Sequence, residues 1–257
     1  MPVSFRITHS ALSRDDMCAE VASIINHHFG EQKFVLCSHS YGSVISTHLV
    51  HYKPISHLIG PIVLIDPVSI LLHLPDVAYN FTRRKPARAN EFQLYYFASM
   101  DSGVAHTLAR RFFWNENVIW KKDMKGRKVT VSLGGRDLIV NTEALGRYLS
   151  ESITCLEGEL VQMNGTANGS LNGSANGYTP KGTEKLTQTL KLRSRYRDTE
   201  RSYDDDADVQ EEWKCRAWKG NGIDVIWFNE LDHAQVFDKP ASRRRLISCI
   251  RTYCEDR

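Results

Sequence analysis

Three residues of this chain carry side chains that could activate a nucleophile. Ser40 stands in Ser38-His39-Ser40-Tyr41-Gly42, Asp137 ends Gly134-Gly135-Arg136-Asp137, and His233 ends Asn229-Glu230-Leu231-Asp232-His233. A serine hydroxyl is a poor nucleophile near neutral pH. A histidine must take its proton, and a carboxylate must hold that imidazole in the right tautomer and stabilise its cation. Asp66 competes with Asp137 for the acid's role, but Pro67 follows it, and an Asp-Pro pair is a common strand ending, so Asp137 is preferred. Of the ten histidines, His233 alone follows a terminal apolar segment. His39 and His106 are expected to pack or to line the substrate pocket.

These residues need elements that bring them together. Phe34 to Cys37 reads as a short buried strand and Ser43 to Tyr52 as a helix closed by Pro54. Between them the chain reverses direction in very few residues, which strains the middle residue and requires small side chains two positions either side, here Ser38 and Gly42. The backbone N–H of Tyr41 would then point at an anion forming beside Ser40. Further buried strands are predicted over Gly60 to Pro67, Lys128 to Leu133 and Ile223 to Phe228, with helices over Thr142 to Ile153 and Ser242 to Tyr253. A helix capped by Ser13, with Met17, Val21, Ile24 and Ile25 on its apolar face, stops at Gly30. Val3, Phe5 and Ile7 alternate with polar neighbours like a short strand. Strands alternating with helices argue for an α/β fold, a mostly parallel sheet with helices on both faces, whose reactive groups gather at the strands' carboxyl ends.

The pentapeptide resembles the nucleophile elbow of the α/β-hydrolases, G-x-S-x-G, with Ser38 in place of the first glycine. The order Ser40, Asp137, His233 is also that family's order of nucleophile, acid and histidine. The resemblance, closest to capped fungal hydrolase-domain proteins, implies a serine hydrolase acting on an ester or related acyl bond of a hydrophobic substrate. It implies no cofactor and no metal, with the Tyr41 N–H as an oxyanion donor. It covers roughly the C-terminal two-thirds of that fold. Only about 30 residues precede the elbow strand, so an N-terminal part, with the second oxyanion donor, is expected to be missing. A catalytically weak hydrolase-like binding module is the alternative.

The core is divided into residues 1–67, 128–155 and 222–257, interrupted by two insertions. Residues 68–127 exceed any ordinary connection and are expected to form a helical cap over the site. There Arg83, Arg84, Lys85, Arg88, Arg110, Arg111, Lys121 and Lys122 interleave with aromatics. A solvated basic face over an aromatic mini-core is the preferred reading; attraction to an anionic lipid surface or acidic substrate is the other. Residues 156–221 repeat Asn-Gly every four residues from Asn164 to Gly177, then turn charged, and are expected to be a flexible loop. Asn80, Asn164, Asn168 and Asn172 fit the glycosylation pattern, but Met1-Pro2-Val3-Ser4 is not expected to begin a signal peptide, so the repeats are read as a loop.

Composition sets the remaining bounds. The 257 residues carry a formal net charge of +3, which demands no nucleic-acid partner. Six cysteines without C-x-x-C spacing are read as reduced thiols in a cytoplasmic protein. No apolar run approaches the ~20 residues that span a bilayer. Oligomeric state leaves no mark on the sequence.

Overall fold

The computed structural model describes residues 12–151 and 212–255. Four strands, β1 (Phe34–His39), β2 (Ile59–Ile65), β3 (Val129–Gly134) and β4 (Ile223–Phe228), form one all-parallel sheet in the order β1-β2-β3-β4. The register brings the carboxyl ends level. His39 lies opposite Ile65, Ile65 opposite Ser132, and Gly134 opposite Phe228. The ladder runs past the strands' ends, where Ser40 N–H donates to Ile65 C=O and Asp66 N–H to Ser132 C=O, both at 2.9 Å. The segments carrying Ser40, Asp66, Asp137 and His233 therefore leave the sheet along one edge, as expected of a parallel sheet.

Strand residues alternate between two apolar layers. Ile62 and Leu64 of β2 join a core with Val129, Val131, Met17, Val44 and Leu145, while Val63 and Ile65 face Ile226, Leu246, Cys249 and Tyr253. The first layer is covered by α1 (Arg14–Phe29), α2 (Gly42–His51) and, after β3, α8 (Thr142–Ser150); the second by the C-terminal α10 (Pro240–Glu255). At the start of α1 the Ser13 hydroxyl accepts the Asp16 N–H, and Gly30 ends the helix at φ 58°. The buried face of α1 is Met17, Cys18, Ala22 and Ile25. Ile24, expected on that face, is exposed, because it lies about 100° round the helix from Ile25. Pro54 does not simply close α2. It opens a four-residue helix, α3 (Lys53–Ser56), where a proline near the first turn loses no hydrogen bond.

Between β2 and β3 the chain forms α4 (Pro75–Thr82), α5 (Ala89–Leu94) running into a π-helical turn (Tyr95–Ser99), α6 (Ser102–Arg111), α7 (Trp114–Asn117) and a 3-10 turn (Lys121–Met124). The expected helical segment exists, but its aromatics divide: Phe81 and Phe112 pack, partly buried, against the main core. Phe92, Tyr96, Phe97, Phe113 and Trp114 are all exposed.

The second insertion ends earlier than its composition suggested. Residues 152–211, with the Asn-Gly repeats, lie outside the described residues, as do Val3, Phe5 and Ile7. But α9 (Glu212–Cys215) is ordered, and its Trp213 is buried against Gly146 of α8 and Trp227 of β4. The described residues up to Ser150 and from Trp213 onward belong to one compact unit. Among the described residues no helix is long and apolar enough to cross a membrane, and five cysteines are free thiols.

Candidate active site

Ser40 has φ 52°, a left-handed conformation that non-glycine residues rarely adopt. The surroundings fix it there. The Ser43 N–H donates to Ser40 C=O at 3.0 Å and the Ser43 hydroxyl to the same carbonyl at 2.7 Å. That hydroxyl also accepts the Val68 and Ser69 N–H groups at 3.1 Å, tying the turn to the segment after β2. Ser38 and Gly42 approach as closely as the sequence demands, for a Cβ on Gly42 would lie 3.4 Å from the Ser38 Cβ. The Ser38 hydroxyl is not idle, since it accepts a 2.7 Å hydrogen bond from Ser46 Oγ. The Tyr41 N–H is among those a helix start leaves without an intrahelical acceptor.

Asp137 and His233 meet Ser40 in one hydrogen-bonded line. His233 Nε2 lies 2.8 Å from Ser40 Oγ, and His233 Nδ1 lies 2.7 Å from Asp137 Oδ2. An ionised carboxylate only accepts, so Nδ1 carries the proton and Nε2 presents its lone pair to the serine hydroxyl. The other oxygen of Asp137 accepts the Ile139 and Val140 N–H groups at 2.7 and 2.8 Å, which locks the carboxylate's orientation. The Asp137 side chain is wholly buried and that of His233 is 12% exposed. Burial alone would pull the imidazole pKa down, but the bond to Asp137 and the charges of Asp137, Asp66 and Asp232 outweigh it and hold His233 above its ordinary value.

Two further carboxylates set the loop that carries His233. Asp66 does not touch the imidazole as its Nδ1 partner. Its oxygens accept Gly134 N–H at 3.2 Å and Ala234 N–H at 2.9 Å, joining the ends of β2 and β3 to the histidine loop. Burial, then the nearby charge of Asp137, raises its pKa to about 6. Asp232 accepts the Leu138 and His233 N–H groups on one oxygen, at 3.0 and 2.7 Å, and the Asn90 amide on the other, at 2.9 Å. Ligand atoms of Asp66, Asp137 and His233 lie within 4.8 Å of one another. A cation there would have to displace the Nδ1–carboxylate bond or the N–H donors, so the donor set fits proton handling better than metal ligation.

No family model, curated protein or solved structure matches the chain. Ser40, Asp137 and His233, separated by 96 and 193 positions, are brought within hydrogen-bond distance. His39 packs its ring against His233 and Phe237, with centroids 5.2 and 5.1 Å away, and burial pulls its pKa down to about 4, assisted by His233. It is a neutral wall of the site. His106 is exposed on α6 and joins none of these groups, so its expected packing or pocket role has no contact behind it. A cavity of about 330 Å³ between α1, α2 and α6 is lined by Tyr41 and by none of Ser40, Asp137 and His233.

Sequence reasoning missed Ser43, Asn90, Asp232 and the structural part of Asp66. Asp232, adjacent to His233 and ahead of a loop, is a residue type that accepts local backbone N–H groups, and that was a usable signal. Asn90 and Ser43 gave none.

Proposed function

We propose that the chain is a serine hydrolase of the α/β-hydrolase kind, cleaving an ester or related acyl bond with Ser40 as nucleophile, His233 as base and then acid, and Asp137 as the orienting carboxylate. The observation that carries the reading is the unbroken line from Ser40 Oγ through His233 to the buried Asp137 carboxylate. It is supported by the strained elbow conformation of Ser40, which holds the hydroxyl at the strands' carboxyl ends. In this reading Ser40 Oγ attacks the acyl carbon while its proton passes to His233 Nε2. The carbonyl oxygen becomes an oxyanion facing the Tyr41 N–H. Collapse breaks the acyl–oxygen bond as His233 returns the proton to the leaving alkoxide, releasing the alcohol. Water, deprotonated by the same nitrogen, then hydrolyses the acyl-serine to a carboxylic acid. Asp137 keeps the imidazole oriented and stabilises the transient imidazolium.

The test is covalent. A fluorophosphonate probe incubated with the purified chain should place one adduct on Ser40, mapped by mass spectrometry, and Ser40→Ala and His233→Ala should each abolish it. A folded chain that takes no adduct at Ser40 overturns the reading and leaves the binding module as the better one.

A further inference from the structure

The segment from α5 through the π-helical turn has two unlike faces. Leu94, Tyr95 and Ser99 turn inward toward Asn80 and Phe81 of α4. The outer face presents Phe92, 43% exposed, Tyr96, 64%, Phe97, 78%, and Met100, 55%. The rings of Phe92 and Tyr96 stack with centroids 6.2 Å apart and so form one apolar surface; Phe97 and Met100 are exposed in the same segment, and Tyr79 of α4 is a further exposed ring. Large apolar groups facing water in one patch mark a surface that is covered in use. Immediately before them stand Arg83, Arg84, Lys85 and Arg88, against a single acid, Glu91. The carboxylate of Glu91 accepts the Ala87 and Arg88 N–H groups, so it serves the start of the helix.

We propose that this face docks on an anionic lipid surface, the aromatic rings and Met100 entering the headgroup boundary and the basic run pairing with lipid charge. The occupant follows from two features. Side chains as exposed as Phe97 project outward, and a fluid interface accepts them where a protein partner would need matching pockets. A second copy of the chain would bring two basic clusters together, whereas an anionic membrane complements them. The face is also mechanically joined to the reaction site. Asn90, in the first turn of α5, donates to the Asp232 carboxylate that accepts the His233 N–H. Docking itself does not depend on the hydrolase reading; only the inference that lipid would deliver an apolar acyl substrate to Ser40 rests on it.

The full chain should co-sediment with phosphatidylcholine vesicles that contain phosphatidylserine and stay in the supernatant with pure phosphatidylcholine, and added salt should release it. Arg83→Gln, Lys85→Gln and Arg88→Gln should each weaken partitioning by roughly fivefold. Phe97→Asp, on an exposed side chain and checked for an unchanged fold by circular dichroism, should weaken it more than about tenfold. Ser40→Ala should bind vesicles as the parent chain does, which separates docking from the catalytic reading. The proposal is overturned by absence of vesicle binding at low salt, or by Phe97→Asp and the basic variants binding undiminished. It is overturned as well by a dimer in light scattering that Phe97→Asp dissociates, for then the face belongs to a second copy.

Discussion

At the residue scale the site turns on two buried acids that share one imidazole's neighbourhood and differ in what they touch. Asp137 bonds the imidazole itself, and Asp66 bonds the backbone that carries it. Asp137→Asn would put an amide against Nδ1 and favour the wrong tautomer, so on the proposed hydrolase reading the ester-cleaving activity is expected to fall about 10⁴-fold, measured as kcat/KM. Asp66→Asn should cost far less, because the line from Ser40 to Asp137 survives, but it should move the pH profile. Asp66 is one of the charges that hold His233 above its ordinary pKa, so removing it should shift the acid limb of kcat/KM to lower pH. Stability carries an independent signature of opposite sense. A carboxyl whose folded pKa is raised from 3.8 to about 6 binds its proton more tightly in the folded state. Folding therefore gains as pH falls through about 6, and the gain is complete below the ordinary value. Because asparagine does not titrate, the parent chain should gain about 1 to 3 kcal/mol relative to Asp66→Asn between pH 8 and pH 4 in urea titrations. An acid limb and a stability difference that both ignore the substitution would show that Asp66 is not coupled to His233.

At the element scale, what could be read in advance was what local pattern dictates. The four strands, the Ser13 cap, the tight strand-to-helix turn at Ser40 and the C-terminal helix were legible from apolar runs and turn residues, and placing Ser40, Asp137 and His233 at strand ends followed from parallel topology. What was not legible depended on contacts between distant segments. Asn90 is an ordinary asparagine until α5 carries it to Asp232, 142 positions away. Composition counted Trp213 into a polar insertion, yet it is 4% exposed, with its ring packed on Gly146. That contact decides a competition between two effects. On an open helix face Gly→Ala stabilises by about 1 kcal/mol, but a Cβ at Gly146 would enter the Trp213 ring, and overpacking of that kind costs about 1 to 3 kcal/mol. Gly146→Ala should therefore destabilise, with altered tryptophan fluorescence. Trp213→Ala should cost about 3 to 5 kcal/mol in denaturant unfolding. A stabilised Gly146→Ala variant would mean that α9 is not seated on α8.

At the scale of the whole molecule, burial is uneven across the sheet. Every residue of β3 is buried, whereas no residue of β1 is fully buried and Cys37 is exposed. Among the described residues β1 pairs only with β2, and a strand edge without a partner is the arrangement that invites strands of other chains to add on. Among the described residues, Ser40 thus follows an edge strand of the sheet that aligns it with Asp137 and His233. If that edge governs self-association, a charge placed on it should suppress association without touching the core, as natural edge strands do with lysine. Cys37→Lys is expected to lower concentration-dependent light scattering under reducing conditions while changing unfolding free energy by no more than about 0.5 kcal/mol, the range of an exposed substitution. Cys37→Ser serves as the control for loss of the thiol. Equal scattering from Cys37→Lys and the parent chain would show that association runs through another surface, and scattering lost equally in Cys37→Ser would assign it to the thiol.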